Sequence, residues 1–236
     1  MNKIEILKSK QDGLKIKADI PRMAKEGWES ISEDDIQRLK WYGLFLRNPT
    51  PGFFMLRVRI PNGFSVSYQI RALCFIAETF GNGIIDITTR QQVQLRQLKI
   101  ENVPEVFDLL EEAGLTSTQT GLDNVRNIIG CPVAGLNPKE RVNPYAQVKA
   151  LTEHILNNSE FSNLPRKFNV AISGCMSDCV HAETQDLALV PAVQEKGGNR
   201  VYGFNVLVGG KLGSGGYRIA TSLDVFVSSE EVVEVC

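Results

Sequence analysis

The sequence has no apolar run long enough to span a bilayer, which excludes a membrane-embedded helix. Its opening stretch, Met1-Asn2-Lys3-Ile4-Glu5-Ile6-Leu7-Lys8, contains no apolar segment of signal-peptide length, so export is not expected and a cytoplasmic location is. Net charge is nearly absent. The 26 Lys and Arg residues stand against 27 Asp and Glu, a balance of −1, and no global field points to nucleic acid or to a membrane surface. The five cysteines are odd in number and show no even disulfide pattern; in a cytosolic chain such thiols lean towards metal or redox chemistry. What remains, at 43% hydrophobic and 22% charged over 236 residues, is the make-up of a globular protein able to bury one large core or two smaller ones.

The neutral total hides a local bias. Residues 51–100 carry six basic side chains (Arg57, Arg59, Arg71, Arg90, Arg96, Lys99) and two acids (Glu78, Asp86), whereas residues 101–125 carry six acids and no Lys or Arg. A fixed positive excess suits an anionic partner. From Phe54 to Ile60 the chain alternates, Leu56, Val58 and Ile60 against Arg57 and Arg59, as a half-buried strand does. From Val66 to Phe80 the apolar residues Ile70, Leu73, Cys74, Ala77 and Phe80 follow helical spacing, which places Cys74 in the core. Ile85 to Leu98 reads as a second alternating strand, and Val103 to Leu110 as a second helix ending at Gly114. This order gives an α+β or α/β fold, a sheet with one apolar face under helices and one face studded with arginines. An arginine flanked by Thr and Gln rather than acids needs an anion or open water.

Beyond residue 115 the chain turns to Gly-rich connections between short strands at Phe168–Ile172, Leu187–Val190 and Phe204–Val208, with a helix over Pro144–Asn157 and a glycine-dense loop at Gly209–Gly216. Ser228-Ser229-Glu230-Glu231 reads as a capping box opening a helix cut short at Cys236. Three segments concentrate polar and cationic residues: Thr88-Thr89-Arg90-Gln91, Asp123-Asn124-Val125-Arg126-Asn127 and Asn163-Leu164-Pro165-Arg166-Lys167-Phe168-Asn169. Guanidinium groups bind carboxylates in bidentate fashion and Lys acts beside them as a point charge, so together these segments suit a polycarboxylate or a small oxyanion.

Read together, FMLRVRIPNG, DITTRQQVQ, GLDNVRNIIGCPVAG, FSNLPRKFN, VHAETQDLALVPA and GFNVLVGG closely resemble the amino-terminal half of ferredoxin-dependent nitrite reductases, in the assimilatory nitrite/sulfite reductase family. The resemblance implies an N-terminal extension wrapping the fold (1–50), a ferredoxin-like half-domain (51–120) and a sirohaem-binding α/β domain (121–236), together one half of a pseudo-twofold enzyme. It implies sirohaem, an iron tetrapyrrole with eight carboxylates, bridged to a [4Fe–4S] cluster whose standard ligands belong to the carboxy-terminal half. The family's cofactor cations map onto Arg57, Arg90, Arg126, Arg166 and Lys167, and its catalytic positions onto Arg126, Arg166, Lys167 and Asn169. Nitrite or sulfite is the implied substrate, ferredoxin the implied donor, and no nucleic acid or membrane is implied. Sulfite-reducing relatives tend to carry a second Lys where Asn169 stands, which favours nitrite. The chain by itself is expected to be inactive without its other half; alternatives are a sulfite reductase half or a non-catalytic tetrapyrrole- or iron–sulfur-binding module that pairs with a second chain.

Cys131, Cys175 and Cys179 occupy three of the four positions that match the family's cluster motifs by pseudo-symmetry, and Val125 occupies the fourth. One reading makes them a metal or iron–sulfur site with an outside ligand; the other makes them a vestige of duplication, because a cluster takes four thiolates. His154 is expected on the exposed side of its helix and His181 in a structural role.

Overall fold

The segment ahead of the first strand is built from short helices stopped and started by their own side chains. The computed structural model describes residues 3–213 and 215–236. Helices α1 (Lys3–Lys10), α2 (Ile20–Glu26) and α3 (Glu33–Arg38) come first. Ser32 caps α3, its hydroxyl accepting from the Asp35 N–H at 3.1 Å, and Pro21 sits in the first turn of α2, where its missing N–H costs nothing. Leu7, Ile16, Ile20, Met23, Leu39 and Trp41 from this segment are buried in the same core as the first sheet. Trp41 is fully buried and lies so close to Gly13 that a Cβ there would meet its ring at 2.0 Å. Its indole Nε1 donates to the Ser162 carbonyl at 2.7 Å. Trp41→Phe keeps an aromatic ring, smaller than the indole, and orphans that buried carbonyl. It should cost about 1–3 kcal/mol, read as a lower urea midpoint with an unchanged m-value.

Strands β1 (Leu44–Arg47) and β2 (Thr50–Val58) form a hairpin, followed by α4 (Ser67–Phe80), β3 (Ile85–Ile87), β4 (Val93–Leu98) and α5 (Val103–Glu112). The sheet order is β1-β2-β4-β3, and every neighbouring pair is antiparallel. With α4 crossing from β2 to β3 and β4 inserted between them, this is the split βαβ arrangement of a ferredoxin-like half-domain. The single strand expected from Ile85 to Leu98 is therefore two strands joined by Thr88–Gln92. Thr88 makes the turn: its N–H donates to the Gln92 carbonyl at 2.9 Å, and its hydroxyl accepts from the Gln92 N–H at 3.1 Å. A hydroxyl that captures the backbone outweighs the strand preference of Thr. The faces survive the division, because opposed residues share one: Ile85 pairs with Leu95, Ile87 with Val93, and Asp86 with Gln94.

Helix α4 buries Leu73, Ile76 and Ala77, whereas Ile70 and Cys74 are exposed. The apolar seam runs through Leu73, Ile76, Ala77 and Phe80, and Cys74 falls on its flank, contrary to the core position expected from spacing.

A second unit contains β5 (Ile129–Gly130), α6 (Tyr145–Ile155), β6 (Val170–Ile172), β7 (Leu187–Lys196), β8 (Asn199–Val208), β9 (Lys211–Gly213), β10 (Gly216–Arg218), β11 (Thr221–Ser228) and α7 (Val232–Val235). Its main sheet runs β11-β8-β7-β6-β5, parallel across β5, β6 and β7 and antiparallel across β7, β8 and β11. Gly197 and Gly198, at φ of 60° and 80°, make the two-residue turn between β7 and β8, which needs positive φ twice. The glycine-dense segment read as a loop is instead the β9–β10 hairpin, with Ser214 lying outside the described residues. Ser228 donates its N–H to the Glu231 carboxylate at 3.1 Å, but α7 opens only at Val232 behind Glu231, which makes no side-chain cap, so the expected capping box does not open that helix.

The first unit comprises residues up to Ile60 with Ser65–Arg126 and Leu156–Lys167; the second comprises Pro61–Phe64, Asn127–Ile155 and Phe168–Cys236. Residues 121–126 and 156–167, assigned by sequence to the second domain, pack in the first unit through backbone and side-chain hydrogen bonds described below. Among the described residues no helix is long and apolar enough to cross a membrane.

Candidate anion-binding site

The polar face of the first sheet carries Arg57 on β2, directly opposite Gln94 on β4. The Arg57 guanidinium lies 4.7 Å over the Phe45 ring and donates to the Thr120 carbonyl at 3.1 Å. Arg126 donates to the same Thr120 carbonyl at 2.5 Å and to the Leu122 carbonyl at 2.8 Å. Two guanidinium groups thus converge on one oxygen. Arg90 stands half-buried in the Thr88–Gln92 turn, and exposed Arg166 completes the set.

These charges repel one another. Burial lowers the Arg57 pKa, and Arg90 and Arg96 lower it further. The Arg126 pKa is pushed down to about 10, first by burial, then by Arg57 and Arg90, with Asp123 opposing and Arg166 adding to the repulsion. The nearby acids are already engaged. Asp123 pairs with Lys8 at 3.1 Å and Asp86 pairs with Arg96. The Arg126 Nε is buried without a partner. A concentration of guanidinium groups with an unused buried donor, and with no free carboxylate beside it among the described residues, has the chemistry of a polyanion site.

The loop that carries Arg126 is held by residues sequence reading did not assign to it. Thr120 donates through its hydroxyl to the carbonyls of Arg57 and Ser117, and Asn124 closes onto the Gly121 carbonyl at 2.7 Å. Lys8, only 6% exposed, contacts Glu5 and Asp123 and donates to the Leu164 carbonyl at 2.8 Å, while the Leu164 N–H donates to the Asp123 carbonyl. One lysine therefore ties the Asp123–Asn127 segment to the Leu164–Lys167 segment. Arg59, read as a further cation of the polar face, is 1% exposed and bonded only to carbonyls.

Arg166 and Lys167 follow Leu164 on the surface of the first unit, and Arg166 makes no hydrogen bond or ion pair among the described residues. Asn169 belongs to the second unit, where its N–H donates to the Asp186 carboxylate at 2.8 Å. Cys131 and Cys175 are also there, both buried, and each thiol shifts the pKa of the other. The Cys175 pKa is lowered, chiefly by the Ser177 backbone N–H, with burial opposing and the Ser177 hydroxyl, Cys131 and Asn137 helping. Burial raises that of Cys131, against a backbone bond from Val133. Cys179 is exposed, and among the described residues no three His, Cys, Asp or Glu side chains are grouped to hold a metal ion. His154 and His181 are both exposed.

Two family profiles match this chain: the nitrite and sulphite reductase 4Fe–4S domain over residues 121–236, and the nitrite/sulfite reductase ferredoxin-like half domain over residues 47–113. A ferredoxin–nitrite reductase of Leptolyngbya laminosa is 47% identical over 242 residues, covering 100% of this chain and 47% of that protein. An assimilatory ferredoxin-dependent nitrite reductase of Haloferax mediterranei is 39% identical, covering 98% of this chain and 42% of that protein. Among solved structures, the NirA protein of Mycobacterium tuberculosis superposes with a TM-score of 0.88 at 28% identity, over 98% of this chain and 44% of that one. Dissimilatory sulfite reductase I, at 13% identity and a TM-score of 0.63, shares the fold. The chain spans about half the length of the curated relatives it matches.

Proposed function

The chain belongs to the nitrite and sulphite reductase family, and from that premise we propose that it forms the amino-terminal half of a cytoplasmic enzyme reducing nitrite to ammonium with electrons from ferredoxin. The observation that carries this reading is the convergence of Arg57 and Arg126 on the Thr120 carbonyl, with Arg90 and Arg166 in electrostatic reach and no uncommitted acid beside them. That donor set fits a tetrapyrrole bearing carboxylates. Arg57, Arg90, Arg126 and Arg166 would pair with those carboxylates and offset the cost of removing them from water. When bound, sirohaem with its [4Fe–4S] cluster would supply the multi-electron redox chemistry. Arg126, which the resemblance also places among the catalytic positions, would join Lys167 in holding the nitrite anion by charge, Lys167 would keep a proton within reach of its oxygen, and Asn169 is the position the resemblance ties to nitrite rather than sulfite because it adds no charge. The described residues do not assemble four thiolates, so the cluster ligands are assigned to the part of the protein outside this chain.

The test is direct: the full-length protein, isolated with its pigment, is supplied with reduced ferredoxin and nitrite. Ammonium should appear in step with nitrite loss. A protein without tetrapyrrole absorbance, or one that consumes no nitrite, would overturn the proposal. Asn169→Lys tests the substrate: a second ammonium should raise the sulfite-to-nitrite ratio of kcat/KM by about tenfold, and an unchanged ratio would remove Asn169 from the specificity argument.

A further inference from the structure

We propose that Arg59 is the positioning residue of this anion site: its guanidinium pins both ends of the loop from Thr118 to Arg126, and so sets where the Arg126 side chain and the Thr120 carbonyl stand. The inference rests on the reading of Arg126 as an anion-binding group. Its geometry is specific. Nε donates to the Thr118 carbonyl at 3.4 Å and Nη2 to the Gln119 carbonyl at 2.9 Å, both at the entry to the loop. Nη2 also donates to the Val125 carbonyl at 2.9 Å and Nη1 to the Arg126 carbonyl at 3.0 Å, both at its exit. The Arg59 N–H adds a bond to the Thr116 carbonyl at 2.8 Å. Residues 120–124 arch between the pinned ends. Within that arch lie Thr120 and Leu122, the two carbonyls that hold the Arg126 guanidinium.

Arginine is required for this because its planar fork presents five donors in fixed, diverging directions, whereas lysine presents three from one point. The arrangement is costly. Arg59 faces no carboxylate, and burial, followed by the charge of Arg126, pushes its pKa down to about 9. Only carbonyl dipoles stabilise the buried charge. A staple serving stability alone is more cheaply built from apolar packing and backbone bonds. Here every side-chain bond of the guanidinium ends on the segment that presents Arg126, so its structural consequence falls on the anion site.

The experiment uses the pigmented holoenzyme containing this chain and compares Arg59→Lys, Arg126→Ala and the double variant. The readouts are nitrite Kd from the visible spectrum, KM and kcat separately, and thermal unfolding. Arg59→Lys should raise nitrite Kd and KM by about tenfold while kcat stays within about twofold. In the Arg126→Ala background the same substitution should add almost nothing, because Arg59 acts through Arg126. Arg59→Gln, which removes the charge but retains an amide donor, gives the same split if the lysine variant does not fold. An unchanged Kd and KM in a folded Arg59 variant, or effects that multiply in the double variant, would overturn the proposal as a structural role only. An unchanged nitrite Kd in Arg126→Ala would instead overturn the site reading itself.

Discussion

Arg126→Ala is expected to weaken nitrite binding by about tenfold to a hundredfold, the equivalent of one lost charge-assisted contact, and to lower the tetrapyrrole retained through purification. Arg126 is the most connected member of the cationic set. Its pKa responds to Arg57, Arg90 and Arg166 together, and its Nε is buried with no protein acceptor. Removing it leaves the Leu122 carbonyl without its bond and leaves Arg57 alone on the Thr120 carbonyl. Arg90 and Arg96 continue to lower the Arg57 pKa after the change. Arg126→Lys should fall between the two, keeping the charge but losing the second contact of the fork. The ratio of pigment to protein absorbance and a nitrite titration read both effects. A normal ratio with an unchanged Kd would remove Arg126 from the site, whatever happens to turnover.

Arg57 and Arg59 show how far such a site can be read from sequence. Both fall on the polar phase of one alternating segment, Arg57 within β2 and Arg59 just past its end, and a period of two places them together on the arginine face. Period cannot tell which one meets a ligand, because that depends on a loop about sixty residues later: Arg59 bonds to the carbonyls of residues 118, 119, 125 and 126. Lys8 was silent in the sequence for the same reason, its partners Asp123 and Leu164 being remote in the chain. Alternation found β2 and both faces of the β3–β4 pair, but the Thr88 turn is a side-chain-to-backbone event that a hydrophobic period does not register. Cys74 shows the angular error of a helical seam read without its partner surface. The arginines of the first unit came together because three polar segments, each weak alone, share one electrostatic neighbourhood. The cysteines illustrate the converse: motif spacing brought Cys131 to Cys175, yet left Cys179 on the surface.

Lys8→Met should destabilise the protein by about 3 kcal/mol at neutral pH, the scale expected when one partner of a buried ion pair is removed. Asp123 is 8% exposed and loses its cation, and the Leu164 carbonyl loses its donor, whereas half-exposed Glu5 can return to water. Arg126 still attracts Asp123, which keeps the loss near the lower end of that range. The pH dependence identifies the cause. In the parent, burial lowers the Lys8 pKa but hydrogen bonds and charge from Glu5 and Asp123 outweigh it and raise the net value. A group raised in the folded state gives full stability below its unfolded pKa and loses it only as pH climbs through the folded one, so the parent should hold this contribution from neutral pH to beyond about 10. Lys8→Met lacks that titrating group, so its stability deficit should hold from neutral pH and narrow only as pH climbs past about 10. Urea midpoints at pH 7 and at alkaline pH measure this. Lys8→Met/Asp123→Leu, which removes both charges and keeps apolar bulk, should recover most of the loss. A deficit that does not narrow at alkaline pH, or a double variant no better than the single one, would show that Lys8 contributes through its packed methylenes and the Leu164 bond rather than through the buried charge pair.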